Sequence, residues 1–147
     1  MRLGSLRESP DAFRHVLEDE IDAPADRWVA FLERIEVDAN FAVLLADSED
    51  SMAGLSFVGF EPDPRIVSIG GMWVRPAMRR TGVGRALLEA GCDWGRGRGA
   101  SRARLAVTIG NDTAERLYAD LGFLVTGETE PLREGSALDV AWMEVAI

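Results

Sequence analysis

A chain of 147 residues, 47% hydrophobic and 28% charged, is long enough for one core and short for two, so a single domain over residues 1–147 is expected. Its formal charge of −9 argues against nucleic acid or an anionic membrane as a general partner. No apolar run approaches the ~20 residues needed to span a bilayer, and "MRLGSLRESPDAF" lacks the apolar stretch of a signal peptide, so a cytoplasmic location is expected.

The first forty residues read as two helices. Ser9-Pro10 caps the first, with Phe13, Val16, Leu17 and Ile21 at helical spacing. Asp22 and Pro24 open the second, with Trp28, Phe31, Leu32 and Ile35 on one face. The period then changes. "FAVLLAD" (41–47) and "MAGLSFVGF" (52–60), separated by "SEDS", predict a hairpin. "RIVSIGGMWV" (65–74) is a third strand, in which Gly70-Gly71 suggests a bulge or a close approach to the backbone.

A helix starting near Thr81 carries Val83, Leu87, Gly91 and Trp94 on one face and stops at "GRGRGA". "ARLAVTI" (103–109) is a strand, and "NDTAERLYADLGF" (111–123) a helix. In that helix Asp112 and Glu115 have capping-box spacing, and Gly122 sits where a left-handed C-cap belongs. "FLVTGE" and "LDVAWMEVAI" close the chain as strands. The order α-α-β-β-β-α-β-α-β-β implies an α+β (mixed α/β) fold, with helices flanking a mostly antiparallel sheet.

Several chemistries are excluded by residue type. Cysteine and histidine occur once each, as Cys92 and His15, too few for a disulfide framework, a Cys/His metal site or a nucleophile–histidine relay. Cys92 is expected to be a small helix residue at least half-buried, and His15 a solvated one. All 16 basic residues are arginine, which excludes a lysine Schiff base and a P-loop lysine. Anions must therefore be met by guanidinium forks or by backbone amides.

Charge is unevenly placed. From Val74 to Arg104 eight arginines face only Glu89 and Asp93, so this segment carries +6 and the remainder −15. Within it, "VRPAMRRTGVGRALL" joins a strand to a helix through a glycine-rich turn, a geometry that aims unpaired N–H groups and the positive end of the helix dipole at an anion. A Walker loop is absent, and the third glycine of a Rossmann fingerprint is missing.

The stretch resembles the acetyl-CoA-binding signature R/Q-x-x-G-x-G/A of the GCN5-related N-acetyltransferase (GNAT) superfamily, at Arg79, Gly82 and Gly84 after Val74 and Pro76. A second motif of that family, N-x-x-A-x-x-L-Y-x-x-x-G-F, is matched at Asn111, Ala114, Leu117, Tyr118, Gly122 and Phe123. The resemblance spans roughly residues 41–147 and implies the GNAT fold, with acetyl-CoA as donor, no metal, and direct acetyl transfer to a primary amine. It further implies that the turn Arg79, Arg80, Thr81, Gly82, Val83, Gly84 and Arg85 holds the pyrophosphate. Main-chain groups at Met72, Trp73 and Val74 would meet the thioester arm, Asn111 would add a polar contact, and Tyr118 would be the general acid.

Two departures from the family accompany the match. The position of the glutamate that some members use as base falls at about Ser68, which leaves either a relay through ordered water or a carboxylate from another segment, with Glu33, Glu36, Asp38 and Glu134 unranked. The family's first strand is expected to be missing, because "RLGSLRESPDAF" resembles the end of its first helix and the segment after it; a homodimer is one way to cover the sheet edge so exposed. The acidity of the rest of the chain points to a cationic acceptor, a small-molecule or peptide amine. A non-catalytic acyl-CoA sensor on the same fold is the alternative reading.

Overall fold

A computed structural model describes residues 2–15, 17–48 and 51–147, with all side chains but those of Arg2, Ala25, Trp28 and Leu32. Helices α1 (Arg2–Glu8), α2 (Leu17–Ile21) and α3 (Ala25–Val37) precede strands β1 (Phe41–Ser48), β2 (Ser51–Glu61) and β3 (Ile66–Val74). Helix α4 (Val83–Arg96), β4 (Arg102–Thr108), α5 (Asp112–Asp120), β5 (Leu124–Pro131) and β6 (Asp139–Ala146) follow. The six strands form one sheet in the order β1-β2-β3-β4-β6-β5. Every neighbouring pair is antiparallel except β3 and β4. That exception follows from connectivity: the α4 crossover returns the chain in its original direction, whereas the tight turns reverse it.

Alternation decides which face each strand residue covers. Val58, Val67 and Ile69 join Leu88 and Cys92 of α4, together with Leu105, Met143, Tyr118 and Phe123, in the main core. Cys92 is buried and unpaired, as a small helix residue in a core would be. The hairpin of β1 and β2 forms as its sequence indicates, with Phe41 opposite Gly59. Among the described residues no strand precedes β1, and no helix is long and apolar enough to cross a membrane.

The amino-terminal segment departs from its sequence pattern. Ser9-Pro10 opens only the short 3-10 turn Pro10–Ala12, and Phe13 is extended and buried. The carbonyls there are satisfied from far along the chain: the Thr108 hydroxyl donates to the Asp11 oxygen at 2.7 Å, and the Arg133 guanidinium to the Pro10 and Phe13 oxygens at 3.1 and 3.0 Å. Tertiary bonds thus replace the intrahelical ones that a continuous helix would have made. Ile21, placed on the expected apolar stripe, is half exposed; Val16 lies outside the described residues. Helix α3 begins after Pro24, with no side-chain cap from Asp22.

Candidate active site

The sheet is open at its centre. Strands β3 and β4 pair only from Ile66 to Ser68 against Arg102 to Arg104, after which each runs on without the other. The edge of β3 from Ile69 to Val74 therefore presents backbone groups to the gap. The Gly70-Gly71 signal corresponds to a bulge: pairing with β2 jumps from Leu55↔Trp73 to Phe57↔Gly70, which leaves one residue extra on β3. Gly71 has φ +58, and a Cβ there would lie 2.4 Å from Phe57 Cδ2, so neither the conformation nor the space admits a side chain.

Beyond β3 a short turn, Pro76–Met78, leads to the glycine stretch. Arg80 adopts φ +64, and Gly82 is the N-cap of α4 with φ +95 and no side-chain capping bond. The helix starts two residues later than its sequence suggests, because Gly82 turns the chain. Ala86 N–H is the first amide of α4 to find a carbonyl, that of Gly82. Among the described residues the backbone N–H groups of residues 80–85 donate to no protein acceptor. Six consecutive donors at the positive end of a helix suit the pyrophosphate of coenzyme A.

The residues expected to bind this anion divide into two groups. Open space surrounds the missing Cβ of Gly82, whereas one at Gly84 would lie 3.0 Å from Leu117 Cδ2; Gly84 thus serves the packing of α4 on α5 as well as access to the backbone. Thr81 Oγ1 donates to the Met78 carbonyl at 2.7 Å and shapes the turn. Arg79 ties the turn down: Nε donates to the Val74 carbonyl at 3.1 Å, and a terminal nitrogen meets the Glu8 carboxylate at 2.5 Å. Trp73 Nε1 donates to the same carboxylate at 3.1 Å. The Arg79 bond, with help from Ser9 and Trp73, holds the Glu8 carboxyl down at about 2. Arg85 makes only a long 3.5 Å contact with Glu89, and Arg80 has no ion pair among the described residues. Arg80 is thus the turn's least committed cation.

Helix α5 is closed at both ends. Its cap is Asn111, whose side-chain oxygen accepts from Ala114 N at 3.3 Å, one residue earlier than the Asp112–Glu115 spacing suggests. The carboxamide nitrogen is left as a donor. At the other end Phe123 N–H bonds the Tyr118 carbonyl, and Gly122 N–H bonds that of Ala119. This is a Schellman arrangement, whose usual apolar contact is here the Tyr118–Phe123 ring pair at 6.3 Å. The helix ending therefore fixes the tyrosine. Tyr118 is 8% exposed, and burial pushes its hydroxyl up to about 12, so it stays protonated and able to donate.

On the sheet face away from α4 the gap widens into a cavity of about 540 Å³. Its floor is Ser68 and Gly70 of β3 with Arg104, Ala106 and Thr108 of β4. Its walls come from Phe13, from α2 and α3, and from Leu132 beyond β5. Phe31, Phe41 and Phe57 form one aromatic wall, with ring centroids 6.2 Å apart. Trp142 forms another, with the Arg104 guanidinium 4.2 Å above its ring. None of Glu33, Glu36, Asp38 and Glu134 lines this cavity, but Glu20 does, buried and 3.7 Å from His15 Nδ1. His15 is exposed, as expected, yet sits at the rim. Glu20 escaped the sequence reading because α2 looked like part of a longer surface helix. Its signal was the carboxylate closing "HVLEDE", four residues before Pro24.

A half-split sheet with bare helix amides beside the split is a geometry open to an anionic ligand. The chain belongs to the GNAT acetyltransferase family, whose profile matches residues 6–123. It is 32% identical over 97 residues to a streptothricin acetyltransferase of Streptomyces lavendulae, an alignment covering 66% of this chain and 50% of that protein. The crystal structure of nourseothricin acetyltransferase superposes with a TM-score of 0.68 at 28% identity, over 73% of this chain and 65% of that one. The chain thus covers less than two thirds of the length of either. The yncA protein of Salmonella typhimurium, solved with its cofactor acetyl-CoA, shares the fold at TM-score 0.76 and 23% identity, over 98% and 83% of the two chains. Acetyl-CoA is the family's donor, and the unpaired amides of residues 80–85 fit it. Among the described residues no group of His, Cys, Asp and Glu is arranged to hold a metal ion.

Proposed function

We propose that the protein transfers the acetyl group of acetyl-CoA to the nitrogen of a primary amine. The observation that carries this reading is the run of unpaired N–H groups over residues 80–85 beside the unpaired edge of β3. In this reading the amides of that turn, with Arg80 and Arg85 as nearby cations and Arg79 bracing the turn against β3, hold the pyrophosphate. Main-chain groups of Met72, Trp73 and Val74 line the acyl arm, and the free carboxamide nitrogen of Asn111 donates to it. Acetyl-CoA supplies the activated carbonyl and the thiolate leaving group.

The remaining roles fall to side chains. The amine must lose a proton to attack, and Glu20 is the only carboxylate among the described residues that line the cavity, so we assign it as acceptor of that proton. As the new C–N bond forms and the C–S bond breaks, Tyr118 donates its proton to the sulfur. A hydroxyl pushed up to about 12 is protonated at any physiological pH, as a donor has to be. The relatives' names contain streptothricin and nourseothricin, which belong among the first amines to be offered.

The second reading, an acyl-CoA-binding sensor, draws on Ser68, where some family members carry a glutamate. One experiment separates the two: calorimetric titration with acetyl-CoA, followed by a coenzyme A release assay with a panel of amines. Saturable binding that weakens ~10-fold or more in an Arg79→Ala, Arg80→Ala double variant, with amine-dependent release, supports the transferase. Binding without release from any amine supports the sensor. No binding by the native chain would sink both.

A further inference from the structure

We propose that the acceptor is an amine that also carries a carboxylate, on an apolar or aromatic body, with Arg34 of α3 as the group that grips the carboxylate. The inference rests on the cavity being the acceptor side of the proposed transfer. Although the chain is acidic overall, the charged residues lining this cavity are four arginines (14, 27, 34 and 104) and a single carboxylate, Glu20. A polycationic amine would have to enter against that field.

The four arginines are not equivalent. Arg14 is paired with Glu130, and Arg104 lies between Glu128 and Glu144, so these two are largely neutralised. Among the described residues Arg27 makes only a 3.3 Å bond to a backbone carbonyl, that of Asp19. Arg34 makes no side-chain hydrogen bond or ion pair among the described residues. Arg27, Phe31 and Arg34 follow one another at i, i+4 and i+7, so a single stripe of α3 brings cation, ring and cation to the cavity. The two arginines sit about 10 Å apart along the helix axis. An unneutralised guanidinium beside a cavity presents a planar fork that fits a carboxylate with two parallel bonds.

The other end of such a molecule is also provided for. Phe31, Phe41 and Phe57 offer an apolar wall, and Glu20 is the negative group that an ammonium would approach before losing its proton. Cation, aromatic wall and carboxylate together match a zwitterion with an apolar body. They match neither a bare amine nor a polyamine.

The test uses phenylalanine, phenylethylamine (the same molecule without its carboxylate) and spermidine, with the full chain. Binding is measured by calorimetry without acetyl-CoA, and turnover by coenzyme A release with it. The expected result is phenylalanine bound and acetylated with kcat/KM at least ~10-fold above phenylethylamine. Arg34→Gln should raise its KM ~10-fold or more and leave the KM for acetyl-CoA unchanged, while Arg34→Lys, which keeps the charge but not the fork, should fall between.

Phenylethylamine or spermidine equalling phenylalanine, or no effect of Arg34→Gln, overturns the proposal. Transfer to spermidine but not phenylalanine overturns it and leaves the transferase standing. Arg34-dependent binding of phenylalanine with no release from any amine leaves it standing as a binding site and removes the transferase. Neither binding nor release removes both.

Discussion

Helices α4 and α5 both follow a strand of the same sheet, and they begin in opposite ways. At the head of α5 the Asn111 side chain takes an amide of the first turn and the helix closes on itself. At the head of α4 a left-handed glycine supplies no side chain, and six amides in a row find no acceptor among the described residues. Capping typically stabilises a helix by ~1 kcal/mol. Its omission at α4, beside the opened strand, is what the proposed reading assigns to the cofactor.

The comparison can be broken at three points. The largest effect is expected from Gly82→Val, which forces a β-branched residue into a conformation with φ +95 and redirects the amides. Acetyl-CoA affinity should fall ~100-fold or more by calorimetry, while the far-ultraviolet circular dichroism of the fold persists. Unchanged affinity would mean that these amides do not hold the cofactor.

Tyr118→Phe comes next. It should lower kcat by ~100-fold with the KM for acetyl-CoA unchanged. It also has a signature in stability. The folded hydroxyl titrates at about 12 and the unfolded one near 10, so the native chain is unaffected below pH 10 and loses stability as pH rises from 10 to 12, by about 2–3 kcal/mol at the upper limit. Denaturant titrations of the phenylalanine variant should lack that loss; if both chains weaken alike, the tyrosine is not buried as described.

The smallest change sharpens the contrast. Asn111→Ala should cost about 1 kcal/mol of stability, and Asn111→Asp should restore it by recreating the cap. The aspartate lacks the amide donor, so a fall in acetyl-CoA affinity that persists in Asn111→Asp isolates the cofactor contact from the cap.

How much of this was legible depended on the range of the interactions. The hairpin, the glycine turn before α4 and the closing of α5 by Gly122 are each written in one contiguous stretch, and the sequence places them to within a residue or two. The amino-terminal segment is not local: Asp11 is fixed by Thr108 and Phe13 by Arg133, partners about a hundred residues away that no periodicity encodes. The cavity's charge was hidden for a related reason. Arg27 and Arg34 look like the solvated side of an amphipathic helix, and only the fold shows that this side faces the gap. Bulk acidity, which suggested a cationic acceptor, says nothing about the sign of one pocket.

The bulge at Gly71 acts as a change of phase along β3. Before it, Val67 and Ile69 face α4; after it, Met72 packs on the same core and Val74 approaches Gly84, so even-numbered residues have taken the place of odd ones. Trp73, which an unbroken alternation would have sent beneath α4, instead turns to Glu8 on the other side. Removing one residue here would therefore invert everything downstream, presenting the turn and its arginines to the wrong layer of the molecule. The length of this strand decides which layer of the molecule the turn before α4 is offered to.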